Sequence, residues 1–274
     1  MDFLALGDIT VDAFIKLSNA WVETDNPENA QELCMPFGEK IPYQSFTEVA
    51  GVGNSPNAAV SAARLGLHSA LVSNLGADEN GKKCLAALAA EGVDIEQITI
   101  HQRARTNYHF VLSFGAERTI LVKHEAYPYA LPHFAPPRWL YLSSLGAGTE
   151  AYHEEIAAWL EENPGTQLAF QPGSFHIAAS GEPVMKKLYA RAEVVVCNVE
   201  EAERITSRAR SETHFQNVWS EGRIAATRAL PRTFQNVFRG MPHIVTTAIE
   251  HSSVLESIRE LERQGRAEVS LVPV

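Results

Sequence analysis

The sequence predicts an α/β protein built on a doubly wound, mostly parallel sheet. Two observations carry that reading. Short apolar runs such as Trp139–Ser143, Gln167–Phe170 and Val194–Cys197 alternate with polar, helix-length segments, the pattern of buried strands joined by crossover helices. Residues 51–92 hold one complete crossover unit: glycine-rich loop, helix, strand, a second glycine-bearing loop and a second helix.

In chain order, Phe3–Leu6 is a compact apolar strand ending in Gly7-Asp8, and Val11–Leu17 continues as a second extended piece. Residue chemistry alone makes Asp8 and Asp12 turn or cap residues. Residues 18–48 are mixed and polar, with Pro27, Pro36 and Pro42 breaking any long element, and a strand is expected only around Tyr43–Val49. Asn57–Leu65 is alanine-rich, which lets a helix lie close on a sheet, and Gly66 stops it. Ser69–Leu75 is the next strand; Asp78 caps a helix with Leu85, Leu88 and Ala89 at helical spacing, and Gly92 ends it. Thr106–Phe114 and Arg118–Lys123 read as a hairpin across Gly115-Ala116. His109 and His124 on it read as ordinary strand residues, because neither has a spaced carboxylate or cysteine companion. Beyond the Trp139 strand, Glu150–Glu161 is an amphipathic helix.

A chain of 274 residues can bury a sizeable core as one large domain or as one domain with an appendage. A net charge of −10 repels a phosphate polymer, so a small ligand is expected and no nucleic acid. Cys34, Cys84 and Cys197 are odd in number and form no CxxC pair, which indicates neither a disulfide framework nor a zinc site. Asp2 stands where a signal peptide would be basic, and no stretch approaches the roughly 20 apolar residues of a membrane span. A soluble cytoplasmic protein without a membrane partner is expected.

The loop before the first crossover helix carries the chemistry. Gly51 and Gly53 let backbone N–H groups approach a ligand, and Asn57 adds an amide near a helix N-terminus. Such a loop suits a polyhydroxylated or anionic small molecule. Asn57-x-Ala59, then Gly66, then Gly76-x-Asp78-x-x-Gly81 and Glu91-Gly92-Val93-Asp94 resemble the N-terminal signature of the PfkB/ribokinase family of sugar and nucleoside kinases. The resemblance implies a ribokinase-like sheet carrying a small β lid, drawn from about 12–48 and 104–124. It implies ATP and Mg2+ as cofactors, a sugar or nucleoside as acceptor, and a possible homodimer through the lid. Gly7-x-x-x-x-Asp12 matches the family's opening, in which the Asp accepts hydrogen bonds from acceptor hydroxyls. The implied acceptor site is Asp12, Gly53, Asn54 and Asn57. Asn198-x-x-Glu201, after a buried strand, resembles the family's NxxE, which places magnesium and phosphates; Glu201 is the implied metal residue, acting through metal-bound water. Residues alone would make this segment a capped helix start. Val52-Gly53 departs from the usual glycine pair, as do Gln171, where many relatives carry Asp or Asn, and Gly146, where some ribose kinases carry Glu.

The expected boundaries are 1–206 for the kinase-like domain and 207–274 for an atypical βαβ-like segment. Beyond Ser207 there is no Lys but there are nine Arg. The Gly-Ala-Gly-Asp segment with which the family holds the transferring phosphate and deprotonates the acceptor is absent, and no Asp follows Asp94. The catalytic residue is therefore left unassigned. Residues from about 211 to 274 resemble a fragment of the cysteine desulfurases, Met241–Val274 most closely and Ser220-Glu221-Gly222-Arg223 as a preceding segment, with His251 at the place of their cofactor-stacking His; without the Schiff-base Lys and nucleophilic Cys it reads as a bystander. Strand-like His243–Ile249, a capping box at Ser253–Glu256 and strand-like Glu268–Val274 make up this tail, which could extend the sheet. A truncated, fused or mis-assembled reading frame would also produce it. The alternative function is a small-molecule-binding protein on a kinase scaffold. A nicotinamide oxidoreductase is excluded because Pro56 replaces the third glycine of its fingerprint and the next strand lacks a terminal acid.

Overall fold

Four consecutive apolar side chains favour a sheet covered on both faces, and they form β1 (Phe3–Leu6), whose last three residues are buried. The computed structural model describes residues 1–24, 31–197, 201, 204–205, 224–225, 243–247, 263 and 268–272. The chain divides into two compact units, 1–166 and 167–274. In the first, β1 pairs in parallel with β10 (Trp139–Leu142) on one side and with β6 (Ser69–Gly76) on the other. β7 (Ile98–His101), which the sequence reading omits, pairs in parallel with β6. Every residue of β6 is buried. The fold is α/β with a mostly parallel sheet, as predicted.

The first crossover helix, α1 (Asn54–Arg64), starts three residues before the expected Asn57. Pro56 falls in its first turn, where backbone N–H groups have no intrahelical acceptor and proline is tolerated. The small residues act as expected: Ala59 is fully buried against Ala5, Leu71 and Leu75 of the sheet. Cys84 and Leu88 of the second helix, α2 (Glu79–Ala90), join the same core.

Above this core lies a four-stranded sheet in the order β5 (Tyr43–Val52), β2 (Thr10–Leu17), β8 (Asn107–Phe114) and β9 (Glu117–Leu121). β2 runs antiparallel to β5 and parallel to β8, and β8 and β9 form the expected hairpin. Two short strands not expected from the sequence precede β5. Trp21–Glu23 (β3) and Glu32–Cys34 (β4) pair antiparallel; strands of three residues are too short to show an alternation. After β10, α3 (Glu150–Glu162) follows as predicted.

In the second unit β11 (Gln167–Phe170), β12 (Val194–Val196) and β13 (Ile224–Ala225) pair in parallel. Helices α4 (Ser174–Ala178) and α5 (Pro183–Arg191) lie between β11 and β12 in the chain. In the tail, β14 (His243–Thr247) and β15 (Glu268–Val272) pair with each other in parallel. His251 and the capping box at Ser253–Glu256 lie outside the described residues.

Asp78 shows how the first unit is tied together. As N-cap of α2 its Oδ1 accepts from Gly81 N at 2.9 Å and from Thr106 Oγ1 at 2.6 Å, while Oδ2 accepts from Thr106 N at 3.0 Å. Burial pushes its carboxyl upward, but these donors together outweigh burial and hold it below its ordinary value. Asp78→Ala removes the cap and leaves the buried Thr106 amide unpaired, so urea unfolding at pH 7 should show a loss of about 2–3 kcal/mol. A carboxyl depressed in the folded state stabilises above its unfolded pKa, so the gap between variant and wild type should shrink below about pH 4.

Candidate functional site

The C-terminal end of β1 and the N-terminus of α1 meet closely. Ser55 Oγ donates to the carbonyl of Leu6 at 2.8 Å, and Asp8 N donates to Ser144 O at 2.9 Å. Gly53 is the N-cap of α1; its φ is +124°, and a Cβ there would lie 2.9 Å from the carbonyl oxygen of Asp8. Only glycine fits both the conformation and the space. Gly53 O accepts from Asn57 N at 2.9 Å, which closes the first turn. Asn54 and Asn57 are exposed there, with Asn54 Nδ2 donating to Ser144 Oγ at 3.0 Å.

The amide of Gly51 is not offered to a ligand as expected. It donates to Cys84 Sγ at 3.2 Å. Burial pushes the Cys84 thiol up to about 11, so the sulfur stays protonated and acts as a packing group and weak acceptor. The glycines of the loop thus divide, one seating it on α2 and one admitting α1 to the end of β1.

Asp12 reaches the same neighbourhood through the sheet. The β2–β5 ladder sets it opposite Val49 and sets Thr10 opposite Val52, from which the chain enters Gly53. On its other side Asp12 faces His109 of β8 in parallel register. Asp12 Oδ1 lies 3.5 Å from His109 Nδ1, with side-chain exposures of 20% and 14% respectively. His124 Nδ1 lies 3.5 Å from Asp8 Oδ2, and the two imidazoles meet edge to face at 5.4 Å between centroids. Both histidines therefore have a carboxylate companion, contrary to the sequence reading. The companions come from the end of β1 and from β2, brought in by long-range pairing that spacing within the hairpin cannot reveal.

Asp8 itself is a buried pin. Its Oδ1 accepts from Tyr129 OH at 2.8 Å and its Oδ2 from Gly146 N at 2.8 Å. Burial, reinforced by the Asp8 charge, pushes the Tyr129 phenol far above its ordinary range, so it remains a donor. Asn107, 1% exposed, fixes the start of β8 by donating to Ile9 O at 3.1 Å and accepting from Glu125 N at 2.8 Å. These bonds place His109 and His124 without using their rings.

Of the two residues read as holding metal and phosphates, Asn198 lies outside the described residues. Glu201 is half-buried with helical backbone beyond β12. Burial first, and then the Glu201 charge, pushes the Cys197 thiol up to about 11.

The sequence matches the family described as pfkB family carbohydrate kinase over residues 24–225. The chain belongs to this family. Asp12 lies ahead of the matched residues, whereas Gly53, Asn54, Asn57, Asn198 and Glu201 lie within them. A fructokinase from Klebsiella pneumoniae is 32% identical over 130 residues, which are 44% of this chain and 42% of that enzyme. The chain thus aligns with less than half the length of that curated relative. Among solved structures, Arabidopsis thaliana ribokinase complexed with ribose and ATP superposes with a TM-score of 0.61 at 15% identity, covering 80% of this chain and 67% of that one. The fructokinase of Halothermothrix orenii gives a TM-score of 0.54 at 23% identity, covering 75% and 70%. These likenesses show the ribokinase-like fold. Among the described residues no helix is long and apolar enough to cross a membrane.

A methyl group at residue 53 would meet the Asp8 carbonyl, and the backbone conformation there is one that L residues avoid. Gly53→Ala should therefore lower stability by about 1–3 kcal/mol in urea unfolding, while Asn57→Ala, at an exposed position, should stay within about 0.5 kcal/mol.

Proposed function

We propose that the chain binds a sugar or nucleoside and magnesium-ATP as an ATP-dependent kinase of this family, with phosphoryl transfer to an acceptor hydroxyl as its reaction. The observation that carries the reading is the β2–β5 ladder, which pairs Asp12 with Val49 on the strand that leads, through Val52 opposite Thr10, into the Gly53–Asn57 turn. A carboxylate is acceptor-only and suits hydroxyl donors, while the start of a helix offers N–H groups and the Asn54 and Asn57 amides offer both kinds of group. Together they hold a polyhydroxylated molecule and fix its orientation.

The amide of Asn198 and the carboxylate of Glu201 supply hard oxygen donors, the chemistry magnesium requires. When bound, the ion neutralises charge on the phosphates. Glu201 is read as holding it through water and Asn198 as ordering the phosphates beside it. No residue of this sequence is assigned as the base, because the Gly-Ala-Gly-Asp segment is absent. We therefore expect binding with slow or no turnover. The partners proposed are the small-molecule acceptor and a second copy through the lid sheet, whose Phe46, Phe110 and Leu121 are 50%, 42% and 52% exposed. A cytoplasmic location is part of the same reading.

Calorimetry with D-fructose, D-ribose and adenosine, with ADP release followed in parallel, tests the proposal. At least one acceptor should bind, and Asp12→Ala should weaken it by about 10- to 100-fold. Glu201→Gln should weaken only the magnesium-dependent binding of ATP. Binding of none of the three, or equal binding by Asp12→Ala, contradicts the acceptor site. Slow magnesium-dependent transfer supports the kinase reading, nucleotide affinity with no transfer at all favours the non-catalytic scaffold, and robust turnover shows that another group serves as base. Sedimentation velocity on the same sample reads the pairing of copies.

A further inference from the structure

Asp12 Oδ1 and His109 Nε2 are both shielded from solvent and have no hydrogen-bond partner. An unpaired carboxylate oxygen in such a place costs free energy, so a donor is wanted there. His109 Nδ1 stands 3.5 Å from Asp12 Oδ1, beyond the usual 2.7–3.2 Å of an N–H···O bond. We propose that His109 is the positioning residue for Asp12: a closed Nδ1–H···Oδ1 hydrogen bond turns one carboxylate oxygen inward and presents the other to an acceptor hydroxyl. The proposal rests on the acceptor reading of Asp12 above.

Three features support it. The parallel β2–β8 register puts the two side chains on one face of the lid sheet, opposite one another. The inward oxygen is shielded, while the Asp12 side chain as a whole keeps 20% of its surface exposed. The carboxylate favours the neutral imidazole tautomer with its proton on Nδ1, because Asp accepts and cannot donate when ionised. A shift of well under 1 Å brings the contact to hydrogen-bonding distance, a change that ordering of the lid over an acceptor can supply. A metal does not fit Asp8, Asp12, His109 and His124 as well: among the described residues no three of His, Cys, Asp or Glu converge on one point in the way an ion needs.

Two measurements on the full chain test the inference. Imidazole nitrogen NMR should show His109 with its proton on Nδ1 at neutral pH, and Asp12→Ala should abolish that preference. A His109 carrying its proton on Nε2 overturns the proposal whether or not any sugar binds. In the calorimetric assay His109→Asn, whose amide nitrogen superposes on Nδ1, should keep acceptor affinity within about threefold, while His109→Gln and His109→Phe should lose about tenfold. In the Asp12→Ala background His109→Phe should change nothing further. Equal losses from the Asn and Phe variants, or additive losses in the double variant, contradict positioning through Asp12. If wild type binds none of the three acceptors, the acceptor reading fails, and the NMR result alone then decides the His109–Asp12 pairing.

Discussion

The candidate site depends on one close approach, between the carbonyl end of β1 and the first turn of α1. Ser55 bonds back to Leu6, and the Asp8 carbonyl oxygen lies 2.9 Å from where a Cβ on residue 53 would be. Because nothing larger than hydrogen fits, the helix start lies directly against the strand end. Parallel sheets gather ligands at that end of their strands, and here it supplies helix-start amides together with exposed Asn54 and Asn57.

A second constraint acts on the four-stranded sheet. Asn107 and Asp8 spend their polar atoms on backbone groups and on a tyrosine, and so fix where β8 and the 124–129 segment begin. Residues that look functional by type are thus divided by what they touch. Asp8 is satisfied within the protein and holds the structure; Asp12 has an oxygen with no donor and faces an imidazole with an open nitrogen. The same division separates Gly51, spent on the Cys84 sulfur, from Gly53.

Much of the fold is legible in the sequence because its signals are local. Phe3–Leu6 and Ser69–Gly76 are apolar runs between glycine-bearing turns, Asp78 caps its helix by a side-chain bond three residues on, and Gly115 marks the hairpin. The misreadings have equally physical causes. The expected helix start at Asn57 leaves out Asn54–Pro56, whose proline the first turn tolerates. β3, β4 and β7 are too short to show a period. Of the candidate site, the glycine turn is visible in residue chemistry and Asp12 through family resemblance, while the pairing of Asp12 with His109 is not. It is made by parallel neighbours nearly a hundred residues apart, and nothing in the local spacing of either strand announces it.

The account holds that one polyhydroxylated guest is gripped jointly by the turn ahead of α1 and by the carboxylate on β2. Hydrogen–deuterium exchange of the full chain with and without saturating D-fructose or D-ribose measures that grip segment by segment. The account predicts slowed exchange confined chiefly to peptides covering residues 10–14 and 51–58. Protection elsewhere with both of these peptides unchanged, although the sugar is bound, would contradict it.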